Sequence, residues 1–317
     1  MKIFRGAPRA AGRRPTALTI GNFDGVHRGH RALLERVVAA ARERALVPAV
    51  MTFEPHPREF FAPERAPARI ANLRDKLGAL QATGVERVFV MHFNQRFAAL
   101  SPQAFIERML VDACQVRWLL VGDDFRFGAR RAGDVSLLRE AAPQHGFVVE
   151  QLPSVCDGGE RVSSSAVREA LRAGDFRRAE RLLGHPYRIS GHVQYGRRLG
   201  RELGFPTLNL AVRHRVPAVQ GIFAVRVSGV APQPWPGVAS LGLRPTVNDD
   251  GRWLLEVHLF DLEASLYGRL VCVEFVARLR DEARYETLDA LRHAIAADAA
   301  RARALLAGIA AAPDTTR

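Results

Sequence analysis

The run Gly21-Asn22-Phe23-Asp24-Gly25-Val26-His27-Arg28-Gly29-His30 sets two histidines among glycines. Gly25 and Gly29 let backbone approach a polyanion such as a triphosphate, and His27 and His30 can donate hydrogen bonds to charge building on a phosphorus. Arg161-Val162-Ser163-Ser164-Ser165-Ala166-Val167-Arg168 offers hydroxyls ahead of an arginine one turn later, an anion cradle if a helix begins there. Phe53, Phe125 and Phe127 could flank a flat ring, and Arg126 could meet an anion. Singly, each feature also reads as ordinary structure: turn histidines, core aromatics, a capped helix.

A second group lies downstream. Gly191-His192-Val193-Gln194-Tyr195-Gly196-Arg197-Arg198-Leu199-Gly200-Arg201 is a glycine-punctuated basic loop suited to close backbone contact with phosphates. Gly204-Phe205-Pro206-Thr207-Leu208-Asn209-Leu210 follows it, and neither a Walker A sequence nor the protein-kinase glycine loop occurs. In Leu254-Leu255-Glu256-Val257-His258-Leu259-Phe260-Asp261 a strand would place Glu256, His258 and Phe260 on one face.

The elements that must position these residues follow from periodicity. Short apolar runs at Ala17–Ile20, Val47–Phe53, Arg87–His92, Trp118–Val121 and Phe147–Leu152 predict strands. Stretches with apolar residues three and four apart, Arg31–Arg44, Arg74–Thr83, Pro102–Ala113 and Val135–His145, predict helices between them. This alternation is that of an α/β, doubly wound parallel sheet, Rossmann-like, in which the Gly21–His30 loop falls between the first strand and its helix. The loops at Thr52–Pro57 and Gly122–Gly128 then reach the same carboxyl edge of the sheet, where such folds bind ligands. After Gly184-His185-Pro186, short apolar runs broken by Gly and Pro predict an antiparallel β-barrel domain, closed by a C-terminal helix from Leu288 to about Leu306. The expected division is residues 1–184 and 185–317.

Composition narrows the class. Hydrophobic residues at 48% and charged residues at 25% of 317 are globular values. Cys114, Cys156 and Cys272 are an odd, widely spaced set, which argues against disulfides and structural zinc. A net charge of +13 suits anionic ligands. The arginines are scattered along the chain, which favours small phosphorylated substrates over nucleic acid. No apolar run is long enough to span a bilayer, so a cytoplasmic protein with no membrane partner is expected.

The GxFDGxHxGH form resembles the HxGH nucleotidyltransferase superfamily and, more closely, the FAD synthetase module of bacterial riboflavin kinase/FAD synthetases; the resemblance covers nearly the whole chain. It implies FMN adenylyltransfer by residues 1–184 and riboflavin phosphorylation by 185–317, with ATP, riboflavin, FMN and FAD as partners, no nucleic acid, and a monomer or weak homo-oligomer. By resemblance, ATP for adenylyl transfer is held by Gly21, Phe23, Asp24, Gly25, His27, His30, Ser163, Ser164 and Arg168, with both histidines catalytic. Ser165 stands where threonine is common. Flavin is held by Phe53, Pro55, His56, Asp124, Arg126 and Phe127.

In the kinase half the resemblance assigns ATP to Gly196, Gly204, Pro206, Thr207 and Asn209, with Thr207 and Asn209 holding Mg²⁺ that accompanies ATP. Glu256 is the implied base, and Leu279-Arg280-Asp281-Glu282 followed by Tyr285 places Arg280 and Glu282 near the flavin. Leu208 replaces the usual alanine, and Phe223 in Gly221–Val225 replaces the usual tyrosine, which puts any contact by that hydroxyl in doubt. Two other readings compete: an HxGH enzyme acting on another phosphorylated acceptor, and a basic RNA-binding protein with a barrel tail.

Overall fold

The computed structural model describes residues 1–8, 14–196, 200, 203–244, 252–262 and 264–311. The chain packs as two units, one of Met1–Pro67 with Lys76–Ser163, the other of Ala68–Asp75 with Ser164–Arg317.

The first unit holds a six-stranded, all-parallel sheet of β1 (Lys2–Arg5), β2 (Thr16–Ile20), β3 (Val47–Glu54), β4 (Arg87–His92), β5 (Val116–Gly122) and β6 (Val148–Leu152), ordered β1-β4-β3-β2-β5-β6. All residues of β2 are buried, as a central strand covered on both faces requires. Its neighbours in sequence point to opposite faces: Leu18 and Ile20 join Met51, Leu119 and Leu138 in one core, while Ala17 joins Trp118, Val37 and Ala41 in the other. Helices α1 (Arg28–Glu43), α2 (Pro57–Phe61), α3 (Leu73–Gln81), α4 (Gln95–Ala98), α5 (Pro102–Phe105) and α6 (Val135–His145) connect the strands, and Ile106–Ala113 continues α5 as a π-helix. The strand hairpin β7 (Cys156–Asp157) and β8 (Glu160–Arg161) completes the unit. The strand order reverses between β2 and β5, so the loops after them flank the switch point.

In the second unit α7 (Ser164–Ala173) and α8 (Phe176–Leu183) precede six antiparallel strands. These are β9 (Arg188–His192), β10 (Thr207–Val212), β11 (Gly221–Ser228), β12 (Trp235–Arg244), β13 (Arg252–Leu259) and β14 (Leu270–Arg280), ordered β10-β13-β12-β11-β14-β9. The chain leaving β9 bridges to β10 through Gln194 N–H and Asn209 O (2.8 Å), which brings the sheet's two edges together into a barrel. Period-two burial separates the faces. Leu255, Val257 and Leu259 are buried in the barrel wall, and Glu256 and His258 alternate with them on the less buried side. The C-terminal helix Leu288–Ala311 packs Ala299, Ala302 and Leu306 on Ala224, Val238, Phe260 and Leu279. Among the described residues no helix is long and apolar enough to cross a membrane.

Candidate active sites

In the first unit His27 caps α1, its Nδ1 accepting the backbone N–H of His30 at 3.3 Å. The two imidazoles stack with centroids 3.6 Å apart, and Phe23 tilts against His30 at 5.0 Å. The turn is tight: Phe23 and Val26 hold φ of +48° and +42°, costly values for non-glycine residues, and Gly25 holds +84°. Asp24 and His27 are buried. No acidic residue stands in the first turn of α1, whose first residue, Arg28, pairs with Asp157 at 2.7 Å. Arg31, the residue after His30, buries its Nε without a hydrogen-bond partner among the described residues. Spacing alone does not single out this cation at a helix N-terminus.

The neighbouring loops converge on that turn. Thr52 Oγ1 donates to Asn22 O at 3.1 Å, tying the end of β3 to the loop after β2. Arg161 lies 3.5 Å from Asp123 and 3.6 Å from Asp124, joining β8 to the loop after β5. The hydroxyl of Ser154, with Arg161 beside it, holds the Asp123 carboxyl below its ordinary range. A Cβ added at Gly29 would meet His27 at 3.2 Å and Val162 O at 3.3 Å, so the segment ahead of Ser163 presses against the histidine turn. Ser163 immediately precedes α7, while Ser164 and Arg168 pack with the second unit, where Arg168 Nε donates to Ala68 O at 2.6 Å.

The predicted flavin residues divide. Phe53 is half-buried at the end of β3, in ring contact with Phe93 (5.8 Å) and Phe97 (5.7 Å), and Phe93 in turn contacts Phe60 at 5.7 Å. Phe93 follows β4 at the same sheet edge, a position that strand endings alone could have flagged. Phe127 is a core residue, packed on Phe105 at 5.3 Å and stacked on Phe125 at 5.7 Å. Arg126 meets an anion within the protein, Asp134 at 3.0 Å, which also caps α6. His56 is buried and caps α2 in a reciprocal capping box with Glu59, after the cis peptide Glu54-Pro55. Asp124 is largely exposed.

In the barrel, ladder register assembles the second group. Asn209 on β10 stands directly opposite Glu256 on β13, and Thr207 opposite His258. Ser240 on β12 flanks Glu256 from the other side. Directly opposite residues project to one face with Cβ atoms about 5 Å apart, so Glu256 and Asn209 are side-chain neighbours. Asn209 is buried, and its Oδ1 has no hydrogen-bond partner among the described residues. A Cβ at Gly196 would collide with its Nδ2, so the glycine lets the loop backbone lie on the amide. Arg197, Arg198, Leu199 and Arg201 of that loop lie outside the described residues. His258 Nδ1 lies 2.9 Å from Pro206 O, fixing the Gly204–Pro206 turn beside Thr207.

Glu282 rests its carboxylate over Gly242, with Ser240 Oγ donating at 3.4 Å and Gln220 Nε2 at 3.3 Å. It therefore stands beside the strand that flanks Glu256. Arg280 forms a two-pronged pair with buried Asp298 of the C-terminal helix, at 2.6 Å and 3.0 Å, and lies over Tyr285 at 5.8 Å. Phe223 is fully buried, packed on Phe275 at 5.1 Å and Phe176 at 5.9 Å. Its ring lies in the core.

Residues 10–166 match the FAD synthetase family and residues 183–306 the riboflavin kinase family. The bifunctional riboflavin kinase/FMN adenylyltransferase of Escherichia coli (strain K12) is 48% identical over 305 residues, 96% of this chain and 97% of the relative. Its counterpart in Pseudomonas fluorescens is 50% identical over 289 residues, 91% of this chain and 92% of the relative. A crystal structure of a macrolide-efflux protein from Streptococcus pneumoniae has the same fold, with a TM-score of 0.73 at 28% identity over 94% of this chain and 97% of that one.

Proposed function

The chain belongs to the family of bifunctional riboflavin kinases/FMN adenylyltransferases, and from that premise we propose which residues carry each reaction. It is a transferase that phosphorylates riboflavin to FMN and adenylylates FMN to FAD, its FAD synthetase part preceding its riboflavin kinase part. We assign adenylyl transfer to residues 1–184 and phosphorylation to 185–317.

Adenylyl transfer starts from FMN, whose phosphate is already an anion and needs no base. An oxygen of that phosphate attacks the α-phosphorus of ATP, and pyrophosphate leaves. The protein's part is positioning and charge stabilisation. His27 and His30 donate to the α-phosphate, Gly25 and Gly29 admit the polyphosphate to the positive end of α1, and Ser163, Ser164 and Arg168 hold phosphate oxygens. Phe53 borders the flavin and Asp124 lies at the same edge. Arg126, His56 and Phe127 shape that edge through the contacts they already make, and Pro55 stands beside His56 there.

Phosphorylation starts from a neutral ribityl hydroxyl, so a proton must go. Glu256 takes it as the hydroxyl oxygen attacks the γ-phosphorus and ADP leaves. The Gly191–Gly196 loop and the Gly204–Pro206 turn bound the nucleotide, and Glu282 accepts from the flavin's ribityl chain. The buried Oδ1 of Asn209, which has no hydrogen-bond partner among the described residues, and the hydroxyl of Thr207 are neutral oxygens suited to Mg²⁺ that arrives with ATP, and the ion would neutralise phosphate charge. Arg280 acts through Asp298, holding the C-terminal helix on the barrel. ATP and flavins as substrates favour a cytoplasmic setting.

The observation that carries the kinase assignment is the register that sets Glu256 opposite Asn209. Incubating the protein with riboflavin, ATP and Mg²⁺ and separating the products by chromatography tests it. Sequential appearance of FMN and FAD is expected, and riboflavin left unchanged would refute the reading.

A further inference from the structure

Away from both sites, a carboxylate is half-buried where neither reaction uses it. Asp75 lies in the first turn of α3, in the short segment Ala68–Asp75 that packs with the second unit. Its Oδ2 accepts from the backbone N–H of Ser190 at 3.0 Å and from Asn72 Nδ2 at 2.7 Å, and its Oδ1 accepts from Ser190 Oγ. Asn72 Nδ2 also donates to Ser190 O at 3.0 Å, so the pair grips both the N–H and the C=O of one residue of β9. Arg74 reaches His192 two residues on, at 3.4 Å. This grip falls on an edge strand of the barrel, beside the outgoing glycine loop. After His192, Gln194 bonds to Asn209, and the Gly196 backbone lies on the Asn209 amide.

The groups facing Asp75 are Arg74 of its own helix, Arg188, Ser190 and His192 of β9, and Cys272 and Glu274 of β14, which stand opposite Ser190 and Arg188. Burial outweighs the hydrogen bonds and pushes the carboxyl up to about 6. An ionised group held there near neutral pH is costly, and an apolar residue would cover β9 at less cost. A polar grip on one strand residue instead fixes position.

We infer that Asp75 is a positioning residue for riboflavin phosphorylation: by clamping Ser190 it sets where the Gly191–Gly196 loop presents its backbone to the phosphates of ATP. The inference rests on the proposed role of that loop. It also makes a residue within the FAD synthetase match, 10–166, part of the kinase.

The test compares the full-length protein with Asp75→Asn, Ser190→Ala and Gly196→Ala, measuring riboflavin phosphorylation against ATP from pH 5.5 to pH 8. Asp75→Asn should raise the KM for ATP roughly three- to tenfold with kcat within about twofold, leaving the KM for ATP in adenylylation unchanged. Its KM ratio to wild type should shrink as pH falls through about 6, because protonation weakens the wild-type clamp while ionisation of ATP cancels in the ratio. Ser190→Ala should move KM in the same direction by less, and it serves if Asp75→Asn does not fold. Gly196→Ala probes the loop itself. If Gly196→Ala leaves the KM for ATP unchanged, the loop reading fails and the inference falls with it. If Gly196→Ala raises KM while Asp75→Asn and Ser190→Ala do not, or if the ratio is flat across pH, the clamp alone is overturned.

Discussion

The two units solve phosphate chemistry in different ways. In the parallel sheet the histidines we assign to adenylyl transfer stand on a loop beyond a strand, in a strained turn at a helix N-terminus. In the barrel they stand on the strands themselves, one residue facing another across a ladder. The difference follows the nucleophile. A phosphate anion brings its own charge, so a turn that exposes N–H groups and imidazoles suffices. An alcohol must lose a proton to a base at a fixed distance, and antiparallel register fixes that distance more rigidly than a loop would.

The contrast breaks most readily at the base. Glu256→Gln should cut riboflavin phosphorylation by about 10²–10⁴-fold while adenylylation of supplied FMN proceeds, as initial rates of each half-reaction would show. Equal loss of both activities in a folded variant would erase the distinction. His30→Ala should do the reverse, lowering FAD formation by about 10²–10³-fold with FMN formation intact. Unchanged FAD synthesis would take the transfer role from the turn.

Smaller effects sharpen the comparison. Asp298→Ala leaves Arg280 without its partner on the C-terminal helix and should cost about 2 kcal/mol, below the range for fully buried pairs because Arg280 is partly exposed. Calorimetry should show a drop of roughly 4–8 °C in the barrel's unfolding, with the first unit's transition unmoved. Phe223→Tyr, which restores the residue usual in the family, should change the KM for riboflavin by less than about twofold, since that ring packs in the core. A large change would mean that the ring reaches the flavin.

Much of this was legible in the sequence, for physical reasons. Central strands such as Thr16–Ile20 and Val116–Gly122 are apolar because both faces are covered, and a loop between strand and helix must fall at the carboxyl edge. Strand β1 escaped because Lys2–Arg5 pairs on one side only and carries two cations in four residues. Periodicity marked Pro102–Ala113 as a helix but does not separate the π-form of Ile106–Ala113 from an α-helix. Side-chain engagement was beyond reach. Arg126 reads as an anion-binding residue and Arg280 as a flavin neighbour, and each has an internal carboxylate, Asp134 and Asp298, that spacing does not reveal. The inward direction of Phe223 follows from strand parity once register is known. The packing of Ala68–Asp75 with the second unit joins segments more than a hundred residues apart, which no local pattern encodes.

The central claim is that two separable sites act in sequence, and mixing two disabled proteins tests it most directly. Glu256→Gln alone should leave riboflavin untouched, and His30→Ala alone should stop at FMN. Together, given riboflavin, ATP and Mg²⁺, they should yield FAD, because FMN made by one reaches the intact transfer site of the other. A mixture of folded variants that accumulates only FMN, or makes no flavin nucleotide at all, would contradict the account.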